Sequence, residues 1–327
     1  MNLKDIQKLI SQDILFLNTK IATELNSKIK LINKLSKYML KNKGKYIRPI
    51  AIILATKALK CKTKKYFTLS TLIELIHMAT LLHDDIVDNA KIRRGKKSAH
   101  FMFGRSSAIL VGDFIYTRAF QMISSLNSLR IFKILANSVN MIATGEILQL
   151  TYANDPNITV KNYMQIIYQK TASLFEAALY SSAILSEANL MEEKALRNYG
   201  KYLGISFQLI NDVSDYNVKN IRSEMCAGND LNNGKLTLPL LHAMKNSNQK
   251  QFNFIQTAIR VGNQRHLLHN ILKIMYEYNS LEFTLNCAKL KIEKAISCLN
   301  VLPSSSYRQG LKALAKVFLK EHVKNYK

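Results

Sequence analysis

Apolar residues recur along the chain at steps of three and four positions. Leu3, Ile6, Ile10, Ile14 and Leu17 show this spacing near the amino terminus, and later segments repeat it. This is the period of an α-helix, whereas the two-residue alternation of strands is hard to find. The pattern breaks near residues 61–65, 126–129, 154–159, 225–235, 245–250 and 303–307. It therefore predicts an all-α bundle of about ten helices, some of them buried on all sides.

The composition agrees with a helical fold. Among 327 residues there are only 11 Gly and 4 Pro, too few to supply the turns of a multi-stranded all-β protein. Hydrophobic residues make up 48% and charged residues 21%, which excludes intrinsic disorder. No change of composition marks a linker and no repeat of solenoid length is visible. We therefore expect one domain over residues 1–327.

The net charge of +25 could attract nucleic acid, a membrane surface or phosphorylated substrates. However, the excess is mostly Lys scattered beside many Asn and Ile, without a condensed basic block, which is typical of a coding bias. We therefore expect no nucleic-acid partner, and we look instead at individual basic residues.

The sequence lacks the signals of export and of membrane insertion. The amino terminus has no continuous apolar run of the kind a signal peptide needs. No window approaches about 18 to 20 uninterrupted apolar residues, so no transmembrane segment is predicted. Cys61, Cys226, Cys287 and Cys298 have neither metal-ligand nor disulfide-framework spacing. That usage suits a reducing cytoplasm, where we expect the protein to be.

Three acids interrupt an apolar helical stretch at residues 81–88. On a helix Asp84 and Asp88 share one face, and Asp85 lies about 100° round the axis. Buried carboxylates on one face repel each other, so they persist where a cation neutralises them, and hard oxygen ligands suit Mg²⁺. The alternative is a solvated helix end with capping acids.

Basic residues flank this acidic cluster on both sides. Arg93 and Arg94 follow it in a basic loop at 89–96, and Lys45 and Arg48 precede it in a helix start that contains Pro49. Guanidinium groups bind phosphate oxygens bidentately. The combination predicts a site for a metal ion and diphosphate.

Together these segments resemble the trans-polyprenyl diphosphate synthase family. The matching motifs are GKxxRP at 44–49, DDxxD with a trailing RRG at 84–95, Lys170-Thr171, and Phe207-Gln208-Leu209 before a second acidic motif. Residues 110–121 and 237–244 are similar to the bacterial octaprenyl members. The resemblance implies a single-domain isoprenoid synthase bundle with a central substrate cavity, and a homodimer. It also implies Mg²⁺-dependent, head-to-tail addition of isopentenyl diphosphate to an allylic diphosphate such as farnesyl diphosphate, giving a long-chain octaprenyl product for quinone side chains.

The resemblance also implies a role for individual residues. Asp84 and Asp88 would bind Mg²⁺, with Asp85 in support. Arg93 and Lys170 would hold the allylic diphosphate as it leaves, with Lys235 as a further diphosphate ligand, and Thr171 and Gln208 would place uncharged oxygens near the allylic cation. Isopentenyl diphosphate would be held by Lys45, Arg48, His77 and Arg94. The departing diphosphate would take the final proton. His77 could instead be a core histidine, and Thr171 and Gln208 could be ordinary helix residues.

The sequence departs from the family pattern at two places. The second acidic motif runs from Asn211 to Asp215, and the family has Asp at the position of Asn211. Cys226 stands where the family usually has Lys. Two uncompensated losses could slow ionisation by on the order of 10⁴. A weakly active enzyme, or a non-catalytic subunit of a heteromeric synthase, is therefore a second hypothesis. A class I terpene cyclase is a third, but it would need no second diphosphate site.

Product length can be predicted from side-chain size. Ala79 and Thr80 lie one turn before Asp84, and Ile76 and Ile73 continue that face. A bulky aromatic at 79 or 80 would close a pocket after a few isoprene units, as in short-chain members of the family. Small residues leave it open, so we expect a long product that Ala79→Tyr shortens.

Overall fold

The computed structural model describes residues 1–42, 44–216 and 227–323, which are almost entirely helical, so the all-α prediction is confirmed. The α-helices are α1 (Leu3–Leu9), α2 (Ser11–Glu24), α3 (Lys30–Lys41), α4 (Ile47–Ala58), α5 (Lys65–Val87), α6 (Ala99–Phe103), α7 (Arg105–Ser125), α8 (Leu129–Thr151), α9 (Val160–Ile167), α10 (Ser173–Leu185), α11 (Leu190–Ser214), α12 (Asn229–Asn232), α13 (Leu238–Asn246), α14 (Gln249–Val261), α15 (Leu268–Glu277), α16 (Ser280–Cys298) and α17 (Ser306–Val323). A π-helical turn (Tyr168–Ala172) joins α9 to α10, and short 3₁₀ turns lie at Arg265–Leu267 and Leu299–Val301.

The described residues form seventeen α-helices rather than about ten, because many helix ends carry no Gly or Pro signal. Asn takes the left-handed conformation instead at several of these ends, with φ of 48° at Asn89, 51° at Asn127 and 51° at Asn279. Asn tolerates this conformation because its short polar side chain bonds locally. Counting only Gly and Pro therefore underestimates the number of breaks.

The chain divides into two compact units. Unit 1 comprises Met1–Ala136, Ala177–Arg197 and Leu299–Leu314, and unit 2 comprises Asn137–Glu176, Asn198–Cys298 and Ala315–Lys327 as far as these ranges are described. The expectation of one domain over 1–327 stays a prediction.

Unit 1 is built around α4 and α5. Every residue of α4 except Lys57 is buried, which confirms the prediction of helices buried on all sides. Lys57 itself pairs with Asp13 at 2.9 Å. Helix α5 packs against α2, α4 and α7, and Ile73 and Ile76 on it are fully buried. This packing fixes the end of α5, where the predicted acidic cluster lies.

A small β-hairpin follows α5, where the sequence predicts only a basic loop. Strand β1 (Ile92–Arg93) pairs antiparallel with β2 (Lys96–Lys97). The two turn residues, Arg94 and Gly95, have φ of 52° and 76°. Positive φ at both turn positions is the requirement of a type I′ turn, in which Gly is preferred at the second position. The hairpin turns the side chains of Arg93 and Arg94 to different partners.

Unit 2 packs around α13. This helix contacts α9, α14, α15 and α16, and its Leu240 and Ala243 are fully buried. Val213 and Tyr216 belong to the same apolar cluster. The cluster therefore anchors the carboxyl-terminal end of α11, which carries Gln208 and the second acidic motif.

Two glycines of α11 allow a close approach to the segment around the π turn. A Cβ at Gly204 would lie 2.5 Å from the Cα of Ala172, and one at Gly200 would lie 2.5 Å from the carbonyl oxygen of Phe175. Gly204 lies one turn before Gln208, and Ala172 follows Thr171 in sequence. This approach therefore holds Thr171 beside Gln208.

We predict that Gly204→Ala lowers the free energy of unfolding by about 1–3 kcal/mol, because the new methyl group meets backbone that cannot rotate away. Lys194→Ala on the exposed face of α11 is the control, with a change within about 0.5 kcal/mol. Denaturant unfolding followed by circular dichroism measures both changes. Equal values for the two variants would show that the approach at Gly204 is not tight.

Candidate active site

The acidic cluster lies at the carboxyl-terminal end of α5. Asp84 is in the last turn, and Asp88 caps the helix and donates its backbone N–H to the Asp84 carbonyl oxygen at 2.8 Å. Both side chains are partly exposed, whereas Asp85 is only 3% exposed. A solvated, capped helix end accounts for Asp88 but not for the buried Asp85.

The donor set at this helix end fits a hard divalent cation. Two carboxylates, Asp84 and Asp88, lie where the helix dipole is negative, and the last turn carries no basic residue. Mg²⁺ is often held by one or two carboxylates and completes its shell with water and phosphate oxygens. Within the described residues no group of three His, Cys, Asp or Glu side chains could hold a metal by itself. The pair therefore suits an ion that is shared with a phosphorylated ligand.

Arg93 is held beside this acidic cluster by Asp85. Its Nε donates to Oδ1 of Asp85 at 2.6 Å. Burial raises the pKa of Asp85, and the guanidinium of Arg93 lowers it in part. The ion pair therefore keeps one arginine next to the predicted allylic diphosphate before any ligand arrives.

Arg94 contacts the GKxxRP loop instead. Its Nη1 donates to the carbonyl oxygen of Asn42 at 2.9 Å. A Cβ at Gly44 would lie 2.6 Å from Nη2 of Arg94, so only Gly leaves room for the guanidinium. The structure thus brings the RRG motif into contact with the segment around Gly44, although the two lie about 50 residues apart in sequence. The predicted site needs these two motifs to be close together.

Glu74 is a functional candidate that the sequence analysis missed. It is 6% exposed and lies one helical turn before His77 on α5. Burial raises the pKa of Glu74 to about 7, against the opposing effect of Arg48 and Arg94. The pKa of Arg48 falls to about 10 because it too is buried, although Glu74 raises it in part. An acid within the apolar run LSTLIELIHMAT was the available signal.

The remaining residues of the predicted isopentenyl site also lie in unit 1. Burial, followed by the charges of Arg48, Arg93 and Arg94, holds the pKa of His77 well below its usual value. The imidazole is therefore neutral near pH 7, and Lys45 is exposed at the start of the loop. A pocket of unit 1 is bordered by residues that include Gly44, Tyr46, Glu74, Asp85, Arg93 and Arg94, but its lining does not include Lys45, Arg48 or His77.

Lys170 lies in the π turn of unit 2 and is held by α8. Its Nζ is 2.7 Å from Oε2 of Glu146 and also donates to Oε1 of Gln149. Gly145 lets α8 come close, since a Cβ there would lie 3.0 Å from Cγ of Lys170. The sequence analysis missed Glu146 and Gln149; the spacing Gly-Glu-x-x-Gln was the only signal. Single π turns in α-helices are frequent at functional sites.

Thr171 and Gln208 are in direct contact, as the prediction of a shared role requires. The Thr171 hydroxyl donates to Oε1 of Gln208 at 2.8 Å, and Nε2 of Gln208 donates to Oδ1 of Asp212 at 2.8 Å. The Tyr163 hydroxyl donates to Oδ2 of Asp212. Neither Tyr163 nor Asp212 was assigned a role from the sequence.

The residues of the second acidic motif differ in burial. Asn211 and Asp215 are partly exposed and Asp212 is buried. The Asp215 carboxylate accepts the backbone N–H groups of Asn229 at 3.2 Å and Asp230 at 3.0 Å. Burial and the charge of Asp230 raise the pKa of Asp212 to about 7 and that of Asp215 well above its usual value.

Two positions near this motif bear on diphosphate binding, Cys226 and Lys235, and the structure describes only Lys235. It is partly exposed in the turn after α12, and its backbone N–H donates to the carbonyl oxygen of Asp230 at 2.8 Å. Cys226 lies outside the described residues.

Comparison with known proteins gives consistent matches over the chain. A family model described as polyprenyl synthetase matches residues 29–275. The chain is 49% identical to octaprenyl diphosphate synthase of Escherichia coli over 317 residues, which are 97% of this chain and 98% of that protein. It is 44% identical to octaprenyl diphosphate synthase of Haemophilus influenzae, with 96% of each chain covered.

The fold is also similar to solved structures. A polyprenyl synthase from Caulobacter crescentus, determined with calcium and isoprenyl diphosphate, has a TM-score of 0.92 and 33% identity, with 98% of each chain covered. The isoprenoid synthase fold is thereby confirmed. The comparisons give no support to the hypothesis of a non-catalytic subunit.

We predict that Glu74→Gln removes a pH dependence of stability. Because the pKa of Glu74 rises from 4.5 in the unfolded chain to about 7 in the folded one, the folded state retains the proton longer, and stability falls as pH rises through this window. The wild type should therefore lose about 2 to 3 kcal/mol relative to Glu74→Gln between pH 5 and 8.

Denaturant unfolding of both proteins at a series of pH values measures this difference. Ser70→Ala, which removes another buried polar group from α5 without a titrating group, is the control and should show a constant difference from the wild type. A constant difference for Glu74→Gln as well would mean that Glu74 titrates alike in the folded and unfolded chains.

Proposed function

The chain belongs to the polyprenyl synthetase family, and we propose that it adds isopentenyl diphosphate head-to-tail to an allylic diphosphate such as farnesyl diphosphate. The family elongates trans-prenyl chains, so the protein is a transferase. We propose an all-trans octaprenyl product, used for quinone side chains, because both bacterial relatives described above are octaprenyl diphosphate synthases.

The observation that carries this proposal is the division of two neighbouring arginines between different partners. Arg93 pairs with Asp85 in the acidic cluster, and Arg94 contacts the loop around Gly44. One arginine therefore belongs to an anion site beside Asp84 and Asp88, and the other to a second anion site at the start of α4. A reaction that joins two diphosphate substrates needs two such sites, whereas a cyclase needs one.

Isopentenyl diphosphate would occupy the site at the start of α4. The groups that would hold its phosphates are Lys45, Arg48, His77 and Arg94. Glu74 interacts electrostatically with Arg48 and Arg94. The neutral His77 donates a hydrogen bond without adding to the repulsion among these cations.

The allylic diphosphate would bind at the end of α5 together with Mg²⁺. Asp84 and Asp88 would hold the ion, which when bound supplies positive charge to the diphosphate oxygens. Arg93 and Lys170 would bind the diphosphate as its bond to C1 breaks, because negative charge develops on it at that moment. Lys235 would add a further cation.

The allylic cation would be stabilised by uncharged oxygens. Thr171 and Gln208 offer a hydroxyl and an amide oxygen, neither nucleophilic enough to trap the cation. The double bond of isopentenyl diphosphate then attacks C1, and the departing diphosphate takes the proton that is lost.

We further propose a homodimer that covers the apolar side chains exposed on α7 and those exposed on α8. Large apolar side chains are exposed on both helices, namely Ile109, Leu110, Phe120, Leu129, Phe132, Ile147 and Leu150. The four on α8 lie within about 60° of one another at 100° per residue. By length and composition α8 alone among the described helices could cross a membrane, and 28% of its apolar window is buried. It also carries Arg130, Lys133 and Glu146, which favours a protein partner over lipid.

We also propose that the protein is located in the cytoplasm. Cys61, Cys287 and Cys298 are free thiols, the state that a reducing compartment maintains.

The proposal predicts a discrete product near eight isoprene units when the purified chain is incubated with farnesyl diphosphate, labelled isopentenyl diphosphate and Mg²⁺. Chain-length analysis of the extracted product measures it. Asp84→Asn should lower the rate by at least about a hundredfold, because a metal ligand loses its charge. Asp113→Asn, which alters an exposed acid on α7, should not.

The opposite result would be informative. No product from the wild type, with substrate binding intact and activity restored by Asn211→Asp combined with Cys226→Lys, would contradict the proposal. It would indicate a degraded enzyme or the subunit of a heteromeric synthase.

Product length should depend on the size of residue 80, and a change at residue 79 should affect stability as well as product length. Thr80 is partly exposed on the face of Asp84, and its hydroxyl donates to the carbonyl oxygen of Ile76 at 2.9 Å, whereas Ala79 is fully buried. We predict shorter products from Thr80→Tyr, and from Ala79→Tyr with an added loss of stability from overpacking. Thr80→Val keeps the size and is the control. Wild-type chain length from both tyrosine variants would refute the packing argument.

A further inference from the structure

A chain of hydrogen bonds runs from the accessible surface of unit 2 into its interior. It begins at Thr171 and Gln208, which are partly exposed, and ends at Asp212 and Tyr163, each 3% exposed. The Thr171–Gln208 and Gln208–Asp212 bonds are both 2.8 Å long, and Tyr163 donates to the second oxygen of Asp212. The proposed reaction uses the two exposed members and leaves the two buried ones without a role.

The buried end sets the direction of every bond in this chain. When Asp212 is ionised it only accepts: Oδ2 takes the Tyr163 hydroxyl and Oδ1 takes the amide N–H of Gln208. The amide therefore presents its oxygen to Thr171, and Thr171 must donate its single hydroxyl proton to it. The lone pairs of Thr171, and not its proton, remain for a neighbouring group.

That direction matters for a cation but not for a diphosphate. An oxygen that has already donated its proton stabilises positive charge, whereas a hydroxyl proton pointing at a cation repels it. An uncommitted Gln208 amide could rotate by 180° and offer its NH₂ group to Thr171 instead. The fixed direction of these hydrogen bonds is thus a preorganised dipole, which stabilises charge most where that charge develops.

We propose that Tyr163 is a positioning residue that, through Asp212, fixes the amide of Gln208 and turns the oxygen of Thr171 toward the allylic cation. This inference rests on the proposed function. The phenol is buried, so it would act through three successive hydrogen bonds rather than by touching a substrate. The close approach at Gly204 and the π turn hold the two exposed members within bonding distance.

A comparison of two unreactive analogues tests the inference without turnover. One is a farnesyl diphosphate analogue with an ammonium nitrogen next to the position of C1, which resembles the cation; the other has sulfur in place of the bridging oxygen and is neutral there. Calorimetry gives Kd for both with the wild type, Tyr163→Phe, Thr171→Val and the double variant. Tyr278→Phe, which removes the phenol that donates to Gln251 at 2.9 Å, is the matched control.

We expect Tyr163→Phe to raise the Kd of the ammonium analogue on the order of tenfold and to leave that of the sulfur analogue within about twofold. In the Thr171→Val background the same substitution should have no further effect, because its route of action is already removed. Tyr278→Phe should change neither Kd. Equal weakening of both analogues, or an undiminished effect in the Thr171→Val background, would overturn the inference in favour of a structural role.

Failure of the proposed function is a separate outcome. A wild type that makes no polyprenyl product but keeps the Tyr163-dependent preference for the ammonium analogue would refute that function and leave the inference standing. A wild type with no preference between the analogues would refute the inference, whatever its activity.

Discussion

Cations meant for a diphosphate must be held in place before the diphosphate arrives, and most of the site follows from this constraint. Arg93 pairs with Asp85, and Lys170 pairs with Glu146. Glu74 interacts electrostatically with Arg48 and Arg94. Like charges brought together without these acids would repel one another and disorder the side chains. Each acid costs desolvation energy, visible in the raised pKa values of Glu74 and Asp85.

The acids also divide the basic side chains of the site into two separate groups. Because Asp85 engages Arg93 and the loop around Gly44 engages Arg94, two side chains adjacent in sequence have different partners, which supports the proposal that they bind different anions. The β-hairpin makes this possible, since Arg93 lies in strand β1 and Arg94 begins the turn, where φ becomes positive. A helix at this position would place successive side chains only about 100° apart and keep both arginines on overlapping faces.

The sequence predicted the cations and the metal-binding acids of the site, but of the acids that support the cations it predicted only Asp85. The motifs around Asp84, Arg94 and Lys170 could be found because they combine unusual residue types at short spacing. Glu146 and Tyr163 could not, because each is an ordinary helix residue whose role appears only when a distant segment packs beside it. Helix number was underestimated for a related reason, since Asn127 and Asn279 end helices in the place where Gly is expected. The predicted central cavity stays a prediction.

The departure at Asn211 affects the part of the second motif that is easiest to replace. Asn211 is partly exposed, so water or a phosphate oxygen has access to the position at which the family carboxylate would be a metal ligand. Asp212 is buried, and both of its oxygens are engaged by Tyr163 and Gln208. Substitution there would leave buried partners unsatisfied and would free the amide that orients Thr171. The change at Asn211 therefore leaves intact the buried hydrogen bonds that orient Gln208 and Thr171.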